Sequence, residues 1–109
     1  MVSNLTQGTR HLTISEAVAA ASSGDVLQVA GTSSNPVYDN VTVDVESLTI
    51  QASPGTPGLV VAADAASDIL HVTADYVTIT GLTVSGASAA AGIYLDGVTG
   101  CRILNNTVK

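Results

Sequence analysis

The stretch VTITGLTV at residues 77–84 alternates apolar and polar positions, breaks at a glycine and resumes. CRILNNTV at 101–108 repeats the phrase 24 residues later, with asparagine at the break. Strict alternation over a few residues predicts a short strand with one buried face. From Val26 onward the same period of two runs through VLQV (26–29), VTV (41–43), LTI (48–50) and LVV (59–61). It continues through LHV (70–72), VTI (77–79), LTV (82–84), IYL (93–95), CRI (101–103) and TV (107–108). Most of these segments are bounded by Gly, Asn, Asp or Ser. Pro36, Pro54 and Pro57 all fall between them, where a missing N–H costs no ladder hydrogen bond.

One segment has a different period. In TISEAVAAASSGD, Thr13 and Glu16 have capping-box spacing, and Ile14, Ala17, Val18 and Ala21 fall on one helical face. Gly24 stands where a helix would stop. The pattern predicts one short amphipathic helix over 14–22, too short to be stable unless it lies against an apolar surface.

The strands repeat as a set. VTVDVESLTIQA (41–52) aligns without a gap to LHVTADYVTITG (70–81) at an offset of 29. IYLDGVTGCRILN (93–105) follows with one residue inserted in its first turn. Without that insertion His71 would share an inward column with Leu95, and Val72 with Asp96. With it the inward columns read Val41/Leu70/Ile93, Val43/Val72/Leu95, Leu48/Val77/Cys101 and Ile50/Ile79/Ile103. The outward columns read Thr42/His71/Tyr94 and Thr49/Thr78/Arg102. Repeats of 20–30 residues built of tiny strands cannot bury their apolar sides alone and must stack. Stacked coils of a parallel β-helix satisfy this, with like residues aligned at about 4.8 Å. Gly81 and Asn105 then occupy one turn, where left-handed backbone angles suit both.

Composition narrows the picture. The chain has 109 residues and no Phe or Trp, so a core of Val, Ile, Leu and Ala is expected, with Tyr38, Tyr76 and Tyr94 as the aromatics. The net charge is −6, and Arg10, Arg102 and Lys109 are the only Lys or Arg residues. Such a chain lacks the clustered cations that track nucleic-acid phosphates or an anionic membrane. No apolar run approaches the roughly 20 residues of a spanning helix, so membrane insertion is not expected. Cys101 is the single cysteine, which leaves no intrachain disulfide. The segment MVSNLTQGTRHL does not have the layout of a signal peptide.

TISEAVAAASSGDVLQVAG followed by NVTVDVESLTIQAS resembles the start of right-handed parallel β-helix proteins of the pectate-lyase-like superfamily, in which a short helix plugs the N-terminal end. GIYLDGVTGCRILNNTV resembles the repeat of many bacterial and archaeal surface or periplasmic β-helix proteins. The resemblance implies an all-β, right-handed parallel β-helix of about three coils with an N-terminal capping helix. As a single domain over 1–109 it would have successive coils at 26–52, 59–84 and 92–109. It also implies an extracellular or cell-surface location, with any leader absent from this chain. Family members usually have many more coils, and the same repeat serves lyases, hydrolases, epimerases and purely structural proteins. Fold alone therefore carries no function.

Candidate chemistry is sparse. Asp44, Asp75 and Asp96 fall in corresponding turns and form a candidate acidic edge for a cation or a sugar. Tyr38, Asp39 and Asn40, in the loop GTSSNPVYDN, are the candidate sugar contacts, since Tyr offers a stacking face beside polar groups. Cys101 is expected inward. With Ile103 and Val108 it forms the candidate assembly edge of the last coil, where unpaired strands invite pairing. Arg102 has no basic neighbour to serve as a lyase base. His11 and His71 have no metal-ligand spacing. No catalytic residue, metal or cofactor is assigned.

The expected function is a non-catalytic structural or adhesive module of a surface or exported protein, with carbohydrate as the candidate ligand. One alternative is the N-terminal part of a polysaccharide lyase or hydrolase whose catalytic coils lie beyond Lys109. The other is a self-assembling scaffold, a homo-oligomer joined through its C-terminal coil.

Overall fold

The computed structural model describes residues 1–88 and 90–109. Its strands are β1 (Val2–Asn4), β2 (Thr9–His11), β3 (Val26–Val29), β4 (Val37–Tyr38), β5 (Val41–Val43), β6 (Thr49–Ala52) and β7 (Leu59–Val61). They continue with β8 (Leu70–Val72), β9 (Thr78–Thr80), β10 (Thr83–Ser85), β11 (Ile93–Leu95), β12 (Arg102–Leu104) and β13 (Thr107–Val108). A helix, α1 (Ile14–Ala20), lies between β2 and β3.

The chain winds as a β-solenoid of about three turns. Three sheets run along it, in the orders β12-β9-β6-β3-β1-β2, β13-β10-β7-β4 and β11-β8-β5. From β3 onward every pairing is parallel, each strand with its counterpart one turn on.

The register reproduces the sequence columns. Val41, Leu70 and Ile93 stack, as do Val43, Val72 and Leu95. Ile50, Ile79 and Ile103 stack in the first sheet, joined below by Leu27. Val37, Val60, Val84 and Val108 form the equivalent column in the second. The inserted residue is visible in the pairing: β8 and β11 are offset by 23 residues (Leu70 to Ile93), whereas β9 and β12 are offset by 24 (Thr78 to Arg102). Leu27, Leu48, Ile50, Ile69, Leu70, Ile79 and Leu82 are the largest strand and turn residues of the core, all essentially inaccessible.

The corners follow from backbone sterics. Ser47, Tyr76 and Gly100 each have positive φ (61°, 60° and 71°) just before an inward residue, Leu48, Val77 or Cys101. A Cβ at Gly100 would stand 2.5 Å from the Tyr76 ring, so glycine here answers both the angle and the space. Gly81 and Asn105 share the left-handed turn the sequence predicts, at φ 73° and 56°.

The N-terminal end is closed by more than the expected helix. β1 pairs antiparallel with β3 and with β2, extending the first sheet by a hairpin that the alternation pattern did not reveal. α1 packs against β1, β2 and β5 through Ile14, Ala17 and Val18. The Thr13 Oγ1 accepts from the Glu16 amide at 3.2 Å, so the predicted N-cap is formed. The helix ends at Ala20, two residues early, because Ala21 is extended and the next turn is held by Asp25.

That turn is the polar node of the cap. One Asp25 oxygen, Oδ2, accepts from the Ser22 amide (2.9 Å), Asn4 Nδ2 (2.9 Å) and Gln7 Nε2 (2.7 Å). Asn4 and Asp25 are both buried. The Ser22 amide, then Asn4 and Gln7, hold the Asp25 carboxyl below its ordinary value, against an opposing contribution from burial.

Two predictions follow from this packing. Ile79 has a rung on each side, whereas Ile103 is 36% exposed. Ile79→Ala is therefore expected to cost about 3 kcal/mol in urea unfolding and Ile103→Ala about 1 kcal/mol or less; equal losses would contradict the stacked arrangement. For Asp25 the folded carboxyl titrates below the unfolded value of about 3.9. Its contribution is complete above that pH and is lost as pH falls through the lowered folded value. Asp25→Asn should lower the urea midpoint at neutral pH and flatten the midpoint profile below about pH 4; a profile unchanged from the parent would count against the node.

Candidate functional site

The outer face of the shortest sheet is where the polar side chains gather. β5, β8 and β11 place Thr42, His71 and Tyr94 in one outward column. The His71 and Tyr94 rings meet edge to face, with centroids 4.9 Å apart and planes at 70°. His71 stands between two carboxylates: its Nε2 is 3.1 Å from Asp96 Oδ2 and its Nδ1 is 3.5 Å from Asp68 Oδ2. Asp68 precedes β8 in the same turn of the solenoid, and Asp96 follows β11 one turn on. The imidazole therefore ties consecutive rungs through their side chains.

Beside this column lies an open groove of about 440 Å³, lined by Asn40, Thr42, Ser67, Asp68, His71 and Ala90 among others. Its wall is the connection between β7 and β8, which Asn40 holds. Asn40 Nδ2 donates to the carbonyls of Asp64 (3.0 Å), Ser67 (3.2 Å) and Asp68 (3.0 Å), and Oδ1 accepts from the Asp64 amide at 2.6 Å. Asp68 Oδ1 in turn accepts from the Ala91 amide at 2.8 Å. The Asp64 carboxylate holds its own turn, accepting from the Ala66 amide and Ser67 Oγ. Rigid strands form the floor and a loop pinned by side-chain hydrogen bonds forms the wall.

The candidate sugar contacts divide. Tyr38 is exposed on the second sheet. Asp39 is buried, its two oxygens accepting from the Ser15 amide and Ser15 Oγ, both at 2.7 Å, in the first turn of α1. Asn40 alone of the three reaches the groove. The acidic turn residues also separate. Asp44 and Asp96 flank Thr73 in the column that follows Val43, Val72 and Leu95. Asp75 lies two residues further on, its Oδ1 accepting from the Thr99 amide at 2.9 Å. Asp96 joins His71 instead of its turn counterparts. Among the described residues, no three His, Cys, Asp or Glu side chains gather to hold a metal ion.

The assembly-edge residues lie together on the last turn. Cys101 is half-buried against the core, with its thiol 3.5 Å from the Ala74 carbonyl. Ile103 and Val108 are exposed, as is Leu104. Asn106 is taken up internally, its Oδ1 accepting from the Leu82 amide and its Nδ2 donating to the Ile79 carbonyl. Of the loop at 85–92, Ala89 lies outside the described residues.

The sequence columns name Thr42, His71 and Tyr94 as neighbours, but the approach of Asp68 and Asp96 to His71 depends on turn conformations that carry no period. The signal available was the Asp68-x-x-His71 spacing across a strand start. Compared with known proteins, the chain matches no family model, no curated protein and no solved structure.

Proposed function

We propose that this chain is a non-catalytic β-solenoid module of a surface or exported protein that binds carbohydrate in the groove over β5 and β8. The observation that carries this reading is the groove itself. A hydroxyl (Thr42), an amide (Asn40), an imidazole (His71) and a carboxylate (Asp68) line an open channel on rigid rungs, with the Tyr94 ring beside it. Sugars are bound by such sets, in which fixed polar groups meet hydroxyls and an aromatic ring meets the apolar face of the pyranose. An open channel suits a chain of residues more than a single enclosed one. The resemblance of the helix-capped start and of the repeat to pectate-lyase-like proteins supports the assignment to a surface or exported protein.

The same polar groups are engaged in holding rungs together. His71 is hydrogen-bonded to Asp96, and the Asn40 amide is bonded to the β7–β8 connection with one Oδ1 lone pair left over. Such engagement suits a preorganised binding surface, which loses little freedom when a ligand arrives. A screen of the chain against immobilised glycans, with Tyr94→Ala alongside, tests the reading. Retention of one oligosaccharide class, weakened about tenfold or more by Tyr94→Ala, is expected. No retained glycan, or retention indifferent to Tyr94→Ala, contradicts it.

A second reading is favoured by one observation of its own. Leu95, Ile103, Leu104 and Val108 are exposed together around the last turn, where β11, β12 and β13 are the outermost strands of their sheets. An apolar sheet edge is a template for another strand, and we propose association of two copies through it as the scaffold alternative. Light scattering across a concentration series is expected to show a mass above that of the monomer, returned to the monomer by Ile103→Lys. A monomer at every concentration contradicts this alternative and leaves the carbohydrate reading untouched.

A further inference from the structure

Three tripeptides of the chain have the form Asn-x-Ser/Thr of an acceptor for N-linked sugar: NLT (4–6), NVT (40–42) and NNT (105–107). None has proline in the middle, so the sequence does not rank them. The fold does. Asn4 is 1% exposed; its Nδ2 donates to Asp25 Oδ2 and its Oδ1 accepts from the Gln7 amide, both at 2.9 Å. The hydroxyl of that tripeptide, Thr6 Oγ1, accepts from the Val26 amide at 3.0 Å. Asn40 is half-buried, and its Nδ2 donates to three carbonyls of the β7–β8 connection, so both N–H bonds are in use. A sugar replaces one N–H and adds bulk. It would have no room at Asn4, and at Asn40 it would cost the loop its anchor.

Asn105 differs on every count. It is exposed, and among the described residues no hydrogen bond involves its side chain. Thr107, which supplies the hydroxyl of this tripeptide, is exposed as well. Asn105 stands at φ 56° in the corner between β12 and β13, and its neighbour Asn106 holds that corner. Asn106 Oδ1 accepts from the Leu82 amide at 2.9 Å, and its Nδ2 donates to the Ile79 carbonyl at 2.8 Å. The Asn105 nitrogen can therefore be substituted without breaking a bond of the fold. The corner joins the first and second sheets, whereas the groove lies over the third.

We infer that Asn105 is the N-glycosylation acceptor of this chain, and that the fold closes Asn4 and Asn40 to the same modification. The inference rests on the reading of a surface or exported protein, the kind of chain on which such acceptors are used. In the transfer, Asn105 Nδ2 bonds to the anomeric carbon of the sugar. The bond from that carbon to the phosphate oxygen of a lipid pyrophosphate-linked oligosaccharide breaks, and the amide gives up one proton.

The purified, folded chain would be incubated with an oligosaccharyltransferase and a lipid pyrophosphate-linked oligosaccharide, and each site read by peptide mass spectrometry. Three synthetic peptides, one for each tripeptide, give the unfolded reference. All three peptides are expected to accept the sugar. The folded chain is expected to accept one, on Asn105, with transfer to Asn4 and Asn40 at least about tenfold lower because each must first open the structure. Thr107→Ala, with its circular dichroism unchanged, should abolish the transfer, and Thr107→Ser should keep it. No transfer to the folded chain, transfer to Asn4 or Asn40 equal to that at Asn105, or transfer undiminished by Thr107→Ala would overturn the inference. Refusal of the Asn4 and Asn40 peptides would overturn its second half, since sequence and not fold would then exclude them. The transfer does not depend on where the native protein resides. Native protein found only inside the cell would overturn the exported reading and leave Asn105 the competent acceptor.

Discussion

A rung of three short strands has its apolar side chains on the inside and nothing to bury them against except the rungs above and below. That constraint sets everything else in this molecule. The core residues are Val, Leu and Ile in files, Leu27 on Ile50 on Ile79 on Ile103, because only like shapes stack at the strand spacing. No Phe or Trp is available, and the three tyrosines are exposed. The same spacing brings each corner onto its predecessor, so that the Tyr76 ring requires a glycine at position 100.

The first turn is closed by several elements together. At the N-terminal end the β1–β2 hairpin continues the first sheet, α1 covers the interior, and the Asp25 carboxylate draws together the hairpin, the turn after the helix and the start of β3. Buried polar groups there are matched, since every buried side-chain donor and acceptor among the described residues has a partner. At the last turn the inward column continues to Ile103 and Val108, which are exposed. The outer faces follow a separate rule. Where a connection is long, as between β7 and β8, side chains such as Asn40 and Asp68 hold it by bonding to main chain in neighbouring turns, and the groove is the hollow left beside it.

The columns, the one-residue insertion and the left-handed turn at Gly81 and Asn105 are legible in the sequence because they express a period, and a period survives in the order of residue types. The hairpin is not. In VSN the inward positions are Val2 and Asn4, and a buried asparagine bonded to Asp25 does not look like an apolar step. The helical pattern runs two residues past the helix because Ala21 continues it, while Asp25, further along, holds the Ser22 amide. The groove was half legible. Register put His71 beside Thr42 and Tyr94, whereas Asp68 and Asp96 arrive through turns of different length, and Asp39, chosen beside a tyrosine, serves the start of α1.

Native-state hydrogen exchange of the backbone amides tests the stacking account most directly. If each rung is buried by its neighbours, protection should be graded: highest in β6, β8 and β9, which have a rung on both sides, and lowest in β12 and β13. Uniform protection across all strands, or protection in β12 equal to that in β9, would mean that burial does not pass from rung to rung, and the account would fail.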